Sequence, residues 1–231
     1  AKVAHRQTYT IDANWKLVLE NYLECYHCAT SHREYAKLHT FKDLHENVAP
    51  MVEAMLEQSD RVTGVSGMSK QYTRIYQDAE GFGACVHTMR YGLFEGNVTG
   101  SKGGQPVAPL MGNIKAYDGG AGDYQMGPLT FMLNYPDHCV LYRFLPKSLT
   151  ETDVELVWFV HGDAVEGVDY QREDLIWLWD HTTKEDEYII LRNNAGVNSR
   201  FFEPGPYHPE FEATLQKFVG WYLHTLEHVT G

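Results

Sequence analysis

Leu129-Thr-Phe-Met-Leu133, Cys139-Val-Leu-Tyr-Arg-Phe-Leu145 and Glu151-Thr-Asp-Val-Glu-Leu-Val-Trp-Phe-Val-His161 are three strand-like runs in close succession. The first two flank Asn134-Tyr-Pro-Asp-His138, a cluster of turn-forming residues. The third alternates apolar and polar along its length, as a strand with one face in a core does. Together they predict an antiparallel meander. Upstream, residues 6–11 (RQTYTI) read as a short strand, and Asn14 as the N-cap of a helix running from Trp15 to about Cys28. Trp15, Val18/Leu19, Tyr22/Leu23 and Tyr26 follow helical spacing there. Residues 33–60 read as loop-like, with helical content around Pro50–Gln58. The glycine groups Gly100–Gly104 and Gly119–Gly122 read as mobile loops.

After the meander, Asp169–Asn193 predicts a long helix, and Gly205-Pro206 breaks the chain. Pro209 suits the first turn of a last helix, on which Phe211, Leu215, Phe218, Tyr222 and Leu226 form an apolar stripe. Helix, sheet, then helices define an α+β domain with helices on one face of an antiparallel sheet. No domain boundary or internal repeat is visible, so residues 1–231 read as a single domain.

The formal charge of −12, from 19 basic and 31 acidic residues, disfavours nucleic acid and anionic membrane surfaces as partners. No apolar run is long enough to span a membrane, and the polar N-terminal stretch AKVAHRQTYTIDANW is no signal peptide. The 4 cysteines Cys25, Cys28, Cys85 and Cys139 do not read as a disulfide framework in a chain this long. They predict small buried packers and a reducing, cytoplasmic compartment. The chain begins in a strand-like stretch without Met and reads as part of a longer protein.

Glu24-Cys-Tyr-His27-Cys-Ala-Thr-Ser-His32 carries the chemistry. Glu24 and His27 are three apart and share a helix face. His27 and His32 are five apart, roughly 140° around a regular helix, so an unbroken helix cannot aim both at one metal. A break or restart at Ala29-Thr30-Ser31 is therefore expected. Two imidazoles and one carboxylate from a later helix would form a facial site for Fe(II) with positions open to O2. With 12 histidines in the chain, a pair five apart also arises by chance. Cys25 and Cys28 beside the histidines leave zinc as an alternative, although no second closely spaced ligand pair accompanies them.

Asn14-Trp15-Lys16, Glu20-Asn21 and the Glu24…His27…His32 run resemble the catalytic domain of Rieske non-heme iron oxygenase α subunits. So does Thr183-Lys-Glu-Asp186 followed by Asn193-Asn194 and Pro204-Gly-Pro206-Tyr207. The resemblance spans nearly the whole chain, and the ECYHC version is similar to the glycine-betaine-type branch. It implies a helix-grip fold, a curved antiparallel sheet around a long C-terminal helix with the iron-ligand helices on one face. It implies His27, His32 and Asp186 as ligands of a mononuclear Fe(II). Asp180 is the runner-up for the third position. Glu24 becomes the carboxylate that links the iron site to a Rieske cluster on the neighbouring subunit, and Asn21 lines the iron pocket. The [2Fe–2S] cluster itself needs two Cys and two His in a paired pattern that this chain does not carry. Either a Rieske domain lies outside this chain, or the protein lacks one and needs another electron source. The resemblance further implies a ferredoxin or reductase as electron donor, a homotrimer, and O2 plus a small organic substrate.

Candidate pocket walls are Phe82, His87, Tyr91, Phe94, Phe131, Tyr135 and Tyr142, with Asn193 two turns beyond Asp186. Alternating aromatics in strands are more often core than cage; as a site they suit a quaternary ammonium group or an aromatic ring alike. The expected reaction is hydroxylation or N-demethylation of a betaine-like substrate. Aromatic ring dioxygenation, or a non-catalytic helix-grip domain that binds apolar ligands, are the alternatives.

Overall fold

The computed structural model describes residues 1–40, 43, 45–70, 72–75 and 85–229. Among these, seven strands form one antiparallel sheet: β1 (Lys2–Ile11), β2 (Tyr72–Ile75), β3 (Cys85–Gly92), β4 (Gly120–Met126), β5 (Thr130–Asn134), β6 (Cys139–Pro146) and β7 (Thr152–Val160). Their order is β1-β7-β6-β5-β4-β3-β2. The expected meander is β5-β6-β7, in which Phe131 opposes Tyr142 and Tyr142 opposes Leu156. Its inner face carries Phe131, Leu133, Val140, Tyr142, Phe144, Leu156 and Trp158, all buried.

Helices α1 (Trp15–Leu23) and α5 (Arg172–Val197) cover this face. The Asn14 side chain accepts from Lys16 N and caps α1, as its sequence predicts. From α1, the Tyr22 ring lies 4.5 Å from Phe131, 5.3 Å from Tyr142 and 5.5 Å from Phe144. Aromatic burial of this kind contributes about 1.5–3 kcal/mol per side chain before entropy is subtracted. On α5, Leu175, Leu178, Trp179, Thr182, Thr183 and Ile190 are buried at helical spacing. The last helix, α6 (Ala213–Val229), packs Phe218 and Tyr222 edge-on against Trp15. The fold is thus the expected α+β layer of helices on a sheet.

Several local expectations are corrected. The first helix stops at Leu23, because Glu24 is extended and turns its carboxylate to Tyr26 N. Tyr26 keeps helical spacing yet is exposed. The expected restart occurs one residue early, as α2 (Cys28–Ser31), and a second break falls at His32 rather than within Ala29–Ser31. Residues 33–60 are largely helical, as α3 (Arg33–Leu38) and α4 (His45–Thr63). Pro50 lies inside α4, in its second turn, where its missing N–H removes one intrahelical bond. The long helix begins at Arg172 and ends at Val197, and Pro209 lies in a turn before α6.

Gly119–Gly122 is not a loop over a site. Gly120–Gly122 opens β4, and a Cβ at Gly120 would collide with the Arg90 guanidinium and the Met55 sulfur. Close packing, not mobility, explains that glycine. Gly100–Gly104 ends in a short 3-10 turn, Lys102–Gly104.

Candidate metal centre

The two breaks in the α1–α3 segment do what an unbroken helix could not. His27 sits at the start of α2 and His32 at the junction of α2 with α3, so both rings turn toward α5. Their Nε2 atoms lie 3.1 Å apart. Asp186 Oδ1 lies 2.9 Å from His32 Nε2 and 3.3 Å from His27 Nε2. Asp186 continues the buried stripe of α5 one turn beyond Thr182 and Thr183, which fixes its direction. Asp180 points elsewhere: it accepts from Tyr9 Oη at 2.6 Å, from Gln7 Nε2 at 3.3 Å and from Lys184 Nζ at 2.8 Å. It is a link between α5 and β1, and the runner-up assignment falls.

The outer nitrogen of each ring is held by a carboxylate. Glu24 Oε1 contacts His27 Nδ1, and Glu185 Oε2 lies 2.9 Å from His32 Nδ1. A proton on each Nδ1 leaves each Nε2 as the atom that would bind a metal, in exchange for the proton it shares with Asp186. Asn21 Nδ2 donates to Asp186 Oδ1 at 2.7 Å and orients that carboxylate. Burial opposes charge on His27, but its hydrogen bonds to Asp186 and Glu24 outweigh this and raise it to about 9. Burial likewise opposes ionisation of Asp186, yet the two histidines hold its carboxyl below the usual range.

The donor set fits a divalent metal. An octahedral ion with bonds of roughly 2.1 Å separates adjacent ligand atoms by about 3 Å. The three edges here are 2.9, 3.1 and 3.3 Å. Imidazoles fixed by outer carboxylates are the usual support of metal-bound histidine. Glu185 was not predicted: as one of several acids on a helix it reads as a solvated face, and only its distance to His32 reveals its part.

Cys25 and Cys28 form a disulfide, contrary to the expectation of separate free packers, although both are buried as expected. The tight turn between Leu23 and α2 brings them together, with Cys28 N donating to Cys25 O at 3.1 Å. As a disulfide, Cys28 offers no thiolate to a metal, which removes the structural argument for zinc. The pairing also gives no support to the reducing compartment read from the cysteines.

The cavity at this centre takes in Tyr91 of the predicted walls. It also takes in Tyr22, Tyr35, Asp123, Leu133 and Trp179, which were not predicted as walls. Phe131 and Tyr142 are core residues beneath Tyr22, and Tyr142 Oη pairs with Thr183 Oγ1 at 2.8 Å. Tyr135 is likewise core, 2.8 Å from His39 Nε2. Phe94 packs with the separate Val48, Val52 and Met55 cluster. His87 lies in β3 opposite Thr73, and Phe82 lies outside the described residues. Asn193 is exposed and outside the cavity, because α5 has by then run past the core and Asn194 bonds the Asp12 carbonyl.

On a helix-covered antiparallel sheet, two histidines and one carboxylate thus converge in an arrangement able to hold a divalent metal. The chain belongs to the family described as ring hydroxylating alpha subunit (catalytic domain), whose model matches residues 1–228. It is 35% identical over 223 residues to the glycine betaine monooxygenase oxygenase subunit of Pseudomonas aeruginosa, covering 96% of this chain and 51% of that protein. It is 34% identical over 226 residues to the corresponding subunit of Chromohalobacter salexigens, covering 97% of this chain and 50% of that protein. The chain therefore spans about half the length of these curated relatives. In fold it is similar to a quaternary ammonium Rieske monooxygenase, with a TM-score of 0.58 and 14% identity over 97% of this chain and 49% of that one. Among the described residues no helix is long and apolar enough to cross a membrane.

Proposed function

We propose that this chain is the mononuclear iron domain of a Rieske-type monooxygenase that removes a methyl group from a quaternary ammonium substrate of the betaine kind. The convergence of His27 Nε2, His32 Nε2 and Asp186 Oδ1 within 3.3 Å carries the reading. The two relatives named as glycine betaine monooxygenase subunits support the substrate class. His27, His32 and Asp186 would hold Fe(II), which supplies O2 activation that no amino-acid side chain provides.

The protein's own groups then have distinct tasks. Glu24 and Glu185 fix the ring orientations, and Asn21 fixes the carboxylate. Tyr22, Tyr35, Tyr91 and Trp179 wall the cavity and limit water beside the reacting methyl group. The net change is R–N(CH3)3+ plus O2, two electrons and two protons giving R–N(CH3)2CH2OH+ and water. The hydroxymethyl product then loses formaldehyde and a proton to leave the tertiary amine.

The electrons come from a Rieske [2Fe–2S] domain elsewhere in the full-length protein, fed by a ferredoxin or reductase. Glu24 contacts His27 and the backbone N–H of exposed Tyr26, a position suited to a histidine of a neighbouring subunit's cluster. That arrangement requires a closed ring of subunits with heterologous contacts, such as a homotrimer.

The test is anaerobic metal analysis with EPR of the nitric oxide adduct, followed by formaldehyde release from glycine betaine by the full-length protein with its reductase. One iron per chain and a high-spin signal lost in His27→Ala are expected. No iron in any preparation would refute the metal assignment, and iron without formaldehyde from any N-methylammonium compound would refute the substrate class.

A further inference from the structure

Asp123 is the one carboxylate on β4 and lies on its inner face. On β4 it opposes Met89 of β3 and Leu133 of β5. Its neighbours on the inner face, Ala121, Tyr91 and Leu133, are buried. Its carboxylate Oδ1 is itself buried and makes no hydrogen bond. An ionised carboxylate taken out of water without a partner is costly.

Buried carboxylates elsewhere in the sheet and its turns are matched by positive or titratable partners. Asp118 pairs with Arg90 at 2.9 Å, Glu155 with Arg6 at 2.6 Å and Arg143 at 3.1 Å, and Asp137 with His138 at 2.8 Å. No ion pair of this kind reaches Asp123 among the described residues. Burial accordingly pushes its carboxyl up to about 7, with the Tyr22 hydroxyl and the Tyr124 backbone N–H opposing.

Asp123 shares its cavity with the metal-site residues His27, His32 and Asp186. Among the described residues lining that cavity there is no Lys or Arg, while the aromatic rings of Tyr22, Tyr35, Tyr91 and Trp179 are present. A site built of carboxylates and aromatic faces attracts a cation and repels an anion.

We propose that Asp123 is the anionic contact that selects the positively charged ammonium head of the substrate and seats it, charge first, beside the metal centre. This rests on the proposed function and extends it to a specificity-determining residue. It also sets the orientation of a zwitterion: the carboxylate end of a betaine points away from Glu24, Asp123 and Asp186.

The test uses the full-length, iron-loaded protein and two probes of nearly equal shape, choline and its neutral carbon isostere 3,3-dimethylbutan-1-ol, with binding read by calorimetry. In Asp123→Asn, choline affinity should fall about 10- to 100-fold, with the affinity for the neutral alcohol and the iron content unchanged. Asp123→Glu should restore part of the choline affinity. Equal loss of both probes would overturn the proposal, because a hydrogen-bonding or structural role makes no distinction between them; so would unchanged choline affinity. If Asp123→Asn does not fold, the wild-type protein still decides: a preference for choline over the alcohol below about tenfold overturns the assignment. N-methylammonium turnover with wild-type affinity in Asp123→Asn would sink this inference alone. A wild-type protein that neither binds nor oxidises any ammonium compound would sink the proposed function with it.

Discussion

Asn21→Ala probes how far the metal ligands depend on the side chains behind them. Asn21 is 8% exposed, and its Nδ2 donates to Asp186 Oδ1 at 2.7 Å. A hydrogen bond to a charged group contributes about 1.5–3 kcal/mol. Loss of an outer support typically weakens metal binding by about 10- to 100-fold, or roughly 1.4–2.7 kcal/mol. The two ranges overlap, so Asn21→Ala is expected to raise the Kd for Fe(II) about 10- to 100-fold. Folding stability should respond less. Asn21 Oδ1 is buried without a partner, so truncation removes an unsatisfied oxygen along with the bond it breaks. The assay is anaerobic competition between the protein and an Fe(II) chelator, paired with calorimetric Tm of the metal-free protein. Unchanged Fe(II) affinity would refute the claim that Asn21 orients Asp186. A loss of stability as large as the loss of binding would mean that Asn21 serves the α1–α5 contact instead.

Three further outcomes follow from the same geometry. Glu24→Gln keeps an acceptor for His27 Nδ1 but loses the charge, so iron should stay bound while coupled turnover in the full-length protein drops; full turnover would exclude an electron-transfer role. Asp123, raised from 3.8 to about 7, is protonated more readily in the folded than in the unfolded chain, so its ionisation removes stability as pH climbs from about 4 to about 7. Asp123→Asn should therefore stabilise the metal-free, ligand-free protein at pH 8 by roughly 1–4 kcal/mol, with the gain shrinking toward pH 5; denaturant melts that show no gain at pH 8 would contradict the burial argument. Cys25→Ser opens a loop whose ends are three residues apart, at a cost of about 2 kcal/mol on the loop-closure relation. Dithiothreitol should lower the wild type to the same midpoint and leave the variant unmoved; equal midpoints without reductant would show that the disulfide contributes nothing.

The strands of the meander were legible because alternation survives in any single stretch of chain. Asn14 was legible because capping is a local hydrogen bond. The end of α1 was not, since Tyr26 keeps the helical period while Glu24 turns the backbone away for reasons that lie in His27. Gly120 misled for a similar reason: a glycine chosen for contact with Arg90 and Met55 looks, in sequence, like one chosen for freedom.

By itself the sequence determined the helix–sheet–helix order, the inner face of the meander and, with the family resemblance, the pair His27 and His32. The resemblance also implied Asp186, Glu24 and Asn21, but only tertiary structure shows what each of them touches. Asp180 and Asp186 are equivalent acids on one helix until the sheet is in place; then one meets Tyr9 and the other meets two imidazoles. Glu185 and Asp123 gain their meaning the same way, from a partner 153 residues away and from a buried Oδ1 without a hydrogen bond. Periodicity reports which face of an element is buried, because that depends on neighbours a few residues apart. Which charged groups share that buried space depends on the folded packing of distant segments, and there the low dielectric decides which charges must be paired, by the protein or by what it binds.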